Sequence, residues 1–267
     1  MASSAPVGEA QRFGDVSVEM GTMGVATVQI RRPPANFFDI ALIRSLADAY
    51  EALDEAETRA IVLCSEGKHF CAGADFTGQS SAAALEPGST STLYAEAVRL
   101  FETATPVVAA VQGAAIGGGL GLAASADFRV GCPESRFSAN FARLGFHQGF
   151  GLSVTLPAIV GNQHAIELLY TGRRIGGEEA ARIGLCDRLA ERSELIEEAH
   201  RLAGAIASSG PLAVRAIRQT MRGHLAQAVK DATAREDVEQ ERLRRTEDFA
   251  EGIRASAERR EPDFSGR

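Results

Sequence analysis

The stretch that decides the fold runs from residue 110 to residue 121 and reads Ala-Val-Gln-Gly-Ala-Ala-Ile-Gly-Gly-Gly-Leu-Gly. The apolar residues at 107–112 favour a buried strand, and the small apolar residues from 117 to about 125 favour a helix. A glycine-rich turn that opens a helix leaves backbone N–H groups free at the positive end of the helix dipole. We therefore expect residues 117–119 to hold a negatively charged oxygen.

A second element, His-Phe-Cys-Ala-Gly-Ala-Asp at residues 69–75, follows another apolar run at 60–64. Its small residues Ala72, Gly73 and Ala74 let a ligand approach the backbone closely. One N–H from this element and one from 117–119 would together stabilise the enolate of a thioester. The two elements therefore predict an oxyanion hole built from backbone donors.

Other interpretations of the glycine cluster compete with this one. Gly119-x-Gly121-x-x-Ala124 loosely fits a dinucleotide-binding fingerprint, but these glycines fall inside the predicted helix and lack an acidic residue about twenty positions on. A phosphate loop would need a Gly-Lys-Ser/Thr sequence, and a serine-hydrolase elbow would need Gly-x-Ser-x-Gly; neither occurs. Tight packing of the helix remains a purely structural alternative.

Composition limits the class of protein. The 267 residues, 45% of them apolar, suit one sizeable core with a helical appendage, and the net charge of −7 disfavours nucleic acid as a partner. The four cysteines form no Cys-x-x-Cys pair, and the five histidines show no metal-ligand spacing. Without an export signal or a membrane-length apolar run, we expect a cytoplasmic protein with no metal, no membrane association and a disordered tail over residues 1–12.

Strand and helix patterns alternate through the first part of the chain. Alternating β-branched residues predict a hairpin at 16–20 and 25–30, and a polar, glycine-rich stretch at 77–92 predicts a mobile loop. This alternation indicates an α/β core with parallel strand pairing. The other predicted elements are a helix at 40–53, a strand at 60–64, a helix at 94–102, a strand at 107–112, a helix from 117 to about 125 and a strand at 127–132.

Strand patterns fade after about residue 153, apart from a brief one at 185–189. Helical patterns then dominate, so we divide the chain into a core at 13–195 and a helical region at 196–267. A thin apolar stripe of Leu225, Val229 and Val238 suits either solvated helices or helices packed on a neighbouring subunit. The helices are predicted at 193–207, 212–222, 225–244 and 246–260.

In their order and spacing, several motifs resemble the enoyl-CoA hydratase/isomerase, or crotonase, superfamily, over a span from about residue 16 to residue 264. The motifs are Phe-Cys-Ala-Gly-Ala-Asp at 70–75, Ala-Val-Gln-Gly-x-x-Ile-Gly-Gly-Gly at 110–119, Ala-Asp-Phe-Arg at 126–129, Leu-Pro-x-x-Val-Gly at 156–161, Leu-x-Tyr-Thr-Gly-Arg at 168–173, Ala-x-x-Ile-Gly-Leu at 180–185 and Thr-Glu-Asp-x-x-Glu-Gly at 246–252.

The resemblance implies an α/β, crotonase-like spiral of repeated β-β-α units with a C-terminal helical region that trimerises. It implies a homotrimer or a dimer of trimers, and a coenzyme A thioester as substrate with no separate cofactor. The oxyanion donors would be the backbone N–H groups of Ala74 and Gly118. Residues implied near coenzyme A are Arg31, Asn36, Ala72, Asp75, Arg259 and Arg260.

The chain departs from the family pattern at the catalytic carboxylates. Hydratases of this family place two glutamates around a water, and here those positions are Gly121 and Phe141. The aspartate used by members with isomerase or dehalogenase chemistry falls at Gly149. Since each positioned acid or base is worth about 10²–10⁴-fold in rate, another group must transfer protons or the reaction differs.

His147, between Gly145 and Gly149, is the candidate acid/base because its titration range suits proton transfer, although a loop histidine bonded to the backbone is the structural alternative. His69 adjoins the oxyanion element and is a further candidate. Asp127 is expected to be structural. Residues expected to line the acyl pocket are Phe141, Phe150 and Asn140.

Three functions follow from these residues. The favoured hypothesis is an acyl-CoA lyase, hydratase or isomerase of the kind found in fatty acid metabolism, which keeps the oxyanion hole and uses a non-standard proton donor. The alternatives are a catalytically weak acyl-CoA binding protein, and a carbon–carbon or thioester hydrolase on the same fold. Nothing in the sequence identifies the acyl group.

Overall fold

A seven-stranded sheet forms the centre of the computed structural model, which describes residues 10–75 and 88–267. The sheet begins with an antiparallel meander and continues with parallel strands, as expected where helices connect successive strands. In spatial order its strands are β1 (Gln11–Phe13), β2 (Val16–Met20), β3 (Val25–Ile30), β4 (Ala60–Ser65), β5 (Val107–Val111), β7 (Phe128–Gly131) and β10 (Arg188–Leu189).

A smaller sheet stands beside it and positions the site. Its strands are β6 (Ala114–Ile116), β8 (Arg136–Ser138) and β9 (Ile175–Gly176), in that order. Isolated parallel bridges from Cys71 to Ala115 and from Phe38 to Ala74 extend it beyond β6. The chain therefore passes repeatedly from the large sheet to the small one, as in β5 to β6 and β7 to β8.

Helices cover both faces of the large sheet. Within β4, Leu63 packs with the helix residue Leu42 in one cluster, while Val62 packs with Leu202 in another on the opposite face. Burial on both faces explains why β4 is apolar throughout rather than alternating. The helices are α1 (Ile40–Glu55), α2 (Ser89–Glu102), α3 (Gly118–Ser125), α4 (Leu152–Val160), α5 (Asn162–Thr171), α6 (Gly177–Arg182), α7 (Leu195–Ala207), α8 (Pro211–Arg222), α9 (Leu225–Leu243) and α10 (Glu247–Glu258).

The hairpin at 16–20 and 25–30 is confirmed, and the predicted helices and strands at 40–132 agree with the structure to within a few residues where it describes them. The tail predicted over 1–12 is too long, because residues 11 and 12 pair with β2. Most of the loop predicted at 77–92 lies outside the described residues, and its last four residues belong to α2.

The fading of strand patterns after residue 153 is explained by helices that the sequence did not reveal. Residues 152–160 and 162–171 form α4 and α5, separated only by Gly161. Their short apolar runs lack a clear helical period, and Pro157 inside α4 is unusual for a helix. The four helices predicted after residue 193 are present as α7 to α10.

All four cysteines are buried and unbonded to one another. None of the described helices combines the length and the apolarity that crossing a bilayer requires. Among residues 10–75 and 88–267, no group of three or more His, Cys, Asp or Glu side chains is arranged to hold a metal ion.

Candidate active site

The register of two parallel segments brings Ala74 and Gly118 close together. Cys71 bridges Ala115, with the Cys71 N–H donating to the Ala114 carbonyl (2.9 Å) and the Cys71 carbonyl accepting from the Ile116 N–H (3.1 Å). Ala74 and Gly118 each follow this bridge by three residues in the same direction. The pairing of 71 with 115 therefore carries both predicted donors to the same end of the small sheet.

Neither of these two N–H groups donates to an acceptor in the described part of the chain. The Phe38 N–H donates to the Gly73 carbonyl (3.0 Å), so the bridge between Phe38 and Ala74 uses the neighbours of Ala74 and not its own N–H. Gly118 is the first residue of α3, where an N–H has no partner within the helix. Both groups are thus available to a ligand.

Ala74 and Gly118 line the same cavity, whose volume is about 1270 Å³. The sequence-predicted pocket residues Asn140, Phe141 and Phe150 line it as well. The space is large enough for a substantial ligand, since pockets for drug-sized molecules span about 300–1,000 Å³.

The inner wall of the cavity is aromatic. The rings of Phe38 and Phe150 meet at 5.6 Å between centroids and are tilted by 59°. A Cβ atom built on Gly118 would overlap Phe38 Cζ, so glycine is required at the start of α3. Phe141 and Phe146 add two more rings to this wall, and both are buried.

Phe150 also explains the glycine at position 121. A Cβ atom on Gly121 would lie 2.6 Å from Phe150 Cβ and 2.8 Å from its Cγ, closer than real side-chain contacts allow. The Phe150 ring therefore occupies the space into which a longer side chain at 121 would extend. A glutamate at this position has no room while Phe150 is in place.

The backbone at Phe150 is strained, and Glu236 holds it in position. Phe150 has φ of +60°, a left-handed conformation that costs a non-glycine residue about 1–3 kcal/mol. The buried Glu236 carboxylate accepts hydrogen bonds from the N–H groups of Gly151 (2.9 Å) and Ser153 (3.0 Å), at the start of α4. Burial raises the pKa of Glu236, and these hydrogen bonds act in the opposite direction.

At the inner end of the cavity, polar side chains from α2 and α9 form a hydrogen-bonded cluster. The Tyr94 hydroxyl donates to Gln240 Oε1 (2.9 Å), and Gln240 Nε2 donates to the His147 carbonyl (2.9 Å). Nearby, Arg244 donates to the Thr90 hydroxyl (2.5 Å), and its guanidinium carbon lies 5.5 Å from the Phe146 ring centroid. The sequence analysis missed this group, because no motif links α2 to α9.

Four exposed basic side chains, Lys68, Arg136, Arg174 and Arg192, line another part of the cavity. His69 lies beside them and accepts a hydrogen bond from the Ala114 N–H on Nδ1 (3.1 Å). Burial, Lys68 and Arg192 all lower the pKa of His69, so its ring is neutral near pH 7. The sequence analysis did not single out these basic residues, which come from four separate loops and strands.

The site is a large cavity with an aromatic wall, a basic border and two backbone N–H groups that have no acceptor among the described residues. A sequence profile of enoyl-CoA hydratases and isomerases matches residues 21–267. The chain belongs to the enoyl-CoA hydratase/isomerase family. Its fold is the crotonase fold, as the resemblance implied.

Relatives of known sequence and structure span nearly the whole chain. An enoyl-CoA isomerase/hydratase of Zymoseptoria tritici is 34% identical, with 91% of this chain and 84% of the relative covered. A crotonyl-CoA hydratase of Syntrophomonas wolfei is also 34% identical, with 90% and 94% covered. The crystal structure of an enoyl-CoA hydratase/isomerase from Pseudoalteromonas atlantica has a TM-score of 0.84 at 29% identity, covering 94% of this chain and all of that one.

Within this member of the enoyl-CoA hydratase/isomerase family, the predicted coenzyme A residues divide into two groups. Ala72 and Asp75 line the cavity. Arg31, Arg259 and Arg260 are not among the residues lining it, and Arg260 is engaged by Glu251. Their predicted contact with coenzyme A is not tested by this placement.

Asn36, the remaining predicted coenzyme A residue, is fully buried and outside the cavity lining. Its Nδ2 donates to the carbonyls of Glu66 (2.8 Å) and His69 (2.6 Å), and its Oδ1 accepts from the Arg32 N–H (2.9 Å). These bonds join two loops and help to hold His69 in position, and a contact of Asn36 with coenzyme A stays a prediction.

His147 does not line the cavity, although its carbonyl accepts from Gln240. Its Nδ1 lies 2.8 Å from the Gln148 carbonyl, the local backbone bond of the structural alternative. An acid/base role for His147 stays a prediction, and the placement of the ring does not favour it.

Asp127 has the structural role that was expected. Its buried carboxylate accepts from the Val107 N–H (2.8 Å) and forms ion pairs with Arg218 (3.1 Å) and Arg222 (3.0 Å). It therefore joins the start of β5 to α8.

Proposed function

We propose that this protein is an acyl-CoA-processing enzyme of the hydratase/isomerase type, in which the Ala74 and Gly118 N–H groups stabilise a thioester enolate. The observation that carries this proposal is that both donors are unused within the described chain and line one cavity. Backbone donors fixed before the reaction stabilise developing negative charge without reorganising, which is the largest contribution in many enzymes.

The charge pattern supports a coenzyme A thioester as the substrate. Lys68, Arg136, Arg174 and Arg192 supply positive charge for the phosphates, although the chain as a whole has a net charge of −7. The aromatic wall of Phe38, Phe141, Phe146 and Phe150 suits an apolar acyl group. Coenzyme A enters as part of the substrate, and the proposed chemistry uses no separate cofactor.

The reaction follows from where the charge develops. When a bond at the α-carbon breaks or a nucleophile adds at the β-carbon, negative charge moves to the thioester oxygen, and the two N–H groups hold it there. The enolate then takes up a proton. Because 121, 141 and 149 are Gly, Phe and Gly, none of these three positions supplies that proton.

A thioester panel tests the proposal. Calorimetry would measure binding of crotonyl-CoA, phenylacetyl-CoA and free coenzyme A, while mass spectrometry would detect water addition or a double-bond shift. We expect thioesters to bind more tightly than free coenzyme A and at least one to be converted with its thioester intact. Binding without any product would support the binding-protein alternative, and release of free thiol would support the hydrolase. No binding at all would disprove the proposal.

We also propose that the protein assembles as a homotrimer or a dimer of trimers, with α8 at the subunit interface. This helix turns charged residues toward the core and apolar residues toward solvent, the reverse of the usual arrangement. Arg218 and Arg222 face the core and pair with Asp127, whereas the side chains of Ile217 and Met221 are 62% and 68% exposed. An apolar face left open on a helix fixed by ion pairs suits burial against another copy of the chain.

Sedimentation velocity tests the assembly. We expect Ile217→Asp combined with Met221→Asp to reduce the wild-type oligomer to monomer, because two charges would be buried in an apolar contact. Gln219→Asp changes an exposed residue on a different face of α8 from Ile217 and Met221, and it serves as the control. A monomeric wild-type protein, or an oligomer unaffected by the double substitution, would show that α8 is not the interface.

A further inference from the structure

The proposed function leaves its proton donor unassigned, and the inner end of the cavity contains one candidate whose chemistry fits. Of the polar side chains there, Arg244 does not give up its proton, and neither the Gln240 amide nor the Thr90 hydroxyl is an acid in water. Tyr94 carries a phenolic O–H, and phenols are among the groups that serve as general acids. Tyr94 is 6% exposed and reaches this position from α2.

The Tyr94 hydroxyl occupies the space beside Gly149. A Cβ atom built on Gly149 would overlap the hydroxyl oxygen and lie 2.9 Å from Tyr94 Cζ and 2.6 Å from Gln240 Nε2. Any side chain at 149 would therefore displace Tyr94. The next residue, Phe150, packs its ring on Phe38 and lies beside Gly118 at the start of α3, so the Tyr94 hydroxyl and the Gly118 donor are both close to Phe150.

The hydrogen bonds of Gln240 show that Tyr94 is the donor in the bond between these two side chains. Gln240 Nε2 is bound to the His147 carbonyl, which can only accept, so Gln240 Oε1 faces Tyr94 and accepts the phenolic hydrogen. Burial and the nearby Glu236 carboxylate raise the pKa of Tyr94 well above its usual value, outweighing the opposite effects of the Phe150 backbone, Gln240 and Arg244. The phenol is therefore protonated throughout the physiological pH range.

We propose that Tyr94 is a catalytic residue that delivers a proton to the α-carbon of the enolate held by Ala74 and Gly118. The phenolic O–H bond breaks and an α-C–H bond forms, while the electron pair of the enolate closes the thioester carbonyl again. The phenolate then takes a proton from water. Transfer in this direction is favourable because an enolate carbon is a stronger base than a phenolate. This inference rests on the proposed function.

The alternative is that the pair of Tyr94 and Gln240 only braces α9 against the loop that contains His147 and Gly149. The two roles differ in which atom matters. A proton donor needs the hydroxyl, whereas a brace needs both partners equally. Tyr94→Phe and Gln240→Leu therefore distinguish them, because the second removes the acceptor and leaves the hydroxyl in place.

Deuterium exchange into the α-position of phenylacetyl-CoA and butanoyl-CoA, followed by mass spectrometry in D₂O, tests the inference without knowledge of the natural substrate. Because Tyr94 returns the proton as a phenol, it removes the proton as a phenolate, and alkaline pH favours that form. Exchange is therefore measured at about pH 9, where it reports on the donor. For Tyr94→Phe we expect a loss of about 10²-fold or more in exchange rate with the dissociation constant nearly unchanged. Gln240→Leu is expected to lose less.

Tyr50→Phe is the matched control. Tyr50 is also buried, but its hydroxyl has no hydrogen-bond partner among the described residues and it is not part of the cavity lining. We expect wild-type exchange from this variant. Equal exchange by Tyr94→Phe and wild type would overturn the inference, as would parallel losses in Tyr94→Phe and Gln240→Leu that follow their thermal stability.

The failure of the inference can be told apart from the failure of the proposed function. A wild-type protein that binds the thioesters but exchanges no deuterium even at that alkaline pH would overturn the role of Tyr94 and leave thioester binding standing. A wild-type protein that binds neither thioester would remove the proposed function, and the role of Tyr94 with it.

Discussion

Two walls of one cavity are built in different ways. The wall that contains Ala74 and Gly118 is made of backbone, and the bridge between Cys71 and Ala115 sets its geometry. The second wall is made of side chains, with Phe150 from the loop before α4 and Tyr94 from α2. The backbone wall depends on strand register, whereas the side-chain wall depends on packing between elements far apart in sequence.

This difference separates two contributions to the proposed reaction. Stabilisation of the enolate depends on the fold, whereas proton transfer depends on the individual side chains of this chain. Backbone donors persist through most side-chain substitutions, so in the proposed function the binding and polarisation of a thioester follow from the fold. The proposed proton donor lies on the side-chain wall, whose residues vary more readily, and the family's carboxylate positions are here Gly121, Phe141 and Gly149. Substitutions on each wall should therefore fail in different ways.

The largest effect is expected on the backbone wall, from Gly118→Ala. The added Cβ would overlap Phe38 Cζ, and either the ring or the start of α3 must shift. Displacing one oxyanion donor costs about 10²–10³-fold in turnover. Steady-state kinetics on the thioester converted by the wild type would measure this loss.

Gly204→Ala in α7 is the matched control for Gly118→Ala, since a Cβ atom there meets nothing within 4 Å. It is expected to keep wild-type turnover and to gain about 0.4–1 kcal/mol of stability, because alanine favours a helix. Wild-type turnover by Gly118→Ala would show that the N–H of Gly118 is not a donor in the reaction.

Next in size is Gly121→Glu, which tests whether Phe150 fills the carboxylate position. The variant would force a charge into a buried, occupied space, and a buried unpaired charge costs about 3–5 kcal/mol. Chemical denaturation would measure the free energy of unfolding. We expect Gly121→Glu combined with Phe150→Gly to be less destabilised than the sum of the two single variants.

Phe150→Gly suits this cycle because glycine accepts the φ of +60° without strain. The coupling energy between positions 121 and 150 then measures the shared space directly. Strictly additive effects would mean that the two side chains do not compete, and the explanation for the missing glutamate would be wrong.

A smaller effect is expected for Glu236→Ala, which removes the support of the side-chain wall. Gly151 and Ser153 would each lose a hydrogen bond, and a buried N–H left unpaired costs about 1–3 kcal/mol. Denaturation curves would measure the change. Glu239→Ala, which removes only surface ion pairs on the same helix, should stay within about 0.5 kcal/mol of wild type.

The pH dependence gives a second test of Glu236. Because burial raises its pKa in the folded protein, the folded state holds this proton to higher pH than the unfolded chain. Its contribution to stability therefore falls as pH rises from about 4.3, the unfolded value, through the raised pKa. The difference between wild type and Glu236→Ala should shrink over that range, and a difference that grows would contradict the assignment.

The smallest effect concerns Glu251, which binds the predicted coenzyme A residue Arg260. Arg260, the Asp263 N–H and Arg254 hold the pKa of Glu251 below its usual range. Its contribution to stability is complete above about pH 4.3 and is lost as the pH falls below that value. Glu251→Gln should therefore show a weaker acid dependence of the melting temperature than wild type, with unchanged thioester affinity at pH 7.

Arg260→Ala tests whether Arg260 stabilises the fold through Glu251 or binds coenzyme A. If Arg260 serves Glu251 alone, this variant should match Glu251→Gln in its acid dependence and keep the wild-type affinity for phenylacetyl-CoA. A loss of affinity measured by calorimetry would restore Arg260 to coenzyme A binding, as the family resemblance implied.

The two segments that form the backbone wall could be located from the sequence because their determinants are local. The glycines at 117–119, the small residues at 72–74 and the apolar strands before them all lie within short segments. The pairing of Ala74 with Gly118 needed only the strand order, which the family resemblance supplied. The fold as a crotonase spiral followed in the same way.

The side-chain wall was only partly predictable. Phe141, Phe150 and Asn140 were found because they lie in a short segment near the missing carboxylates. Tyr94 and Gln240 are 146 residues apart in sequence, and no local pattern joins them. His147 was chosen for its chemistry, but the direction of a loop side chain depends on tertiary packing that the sequence does not display.

The space shared by Gly121 and Phe150 limits how this chain can change. A chain carrying a glutamate at 121 is reachable only if position 150 becomes small first or at the same time, since the reverse order passes through an overfilled site. The residue at position 150 therefore determines which residues position 121 can accept. A directed-evolution campaign that samples single codons would miss the double change, and libraries that randomise 121 and 150 together offer the shorter path to a new reaction.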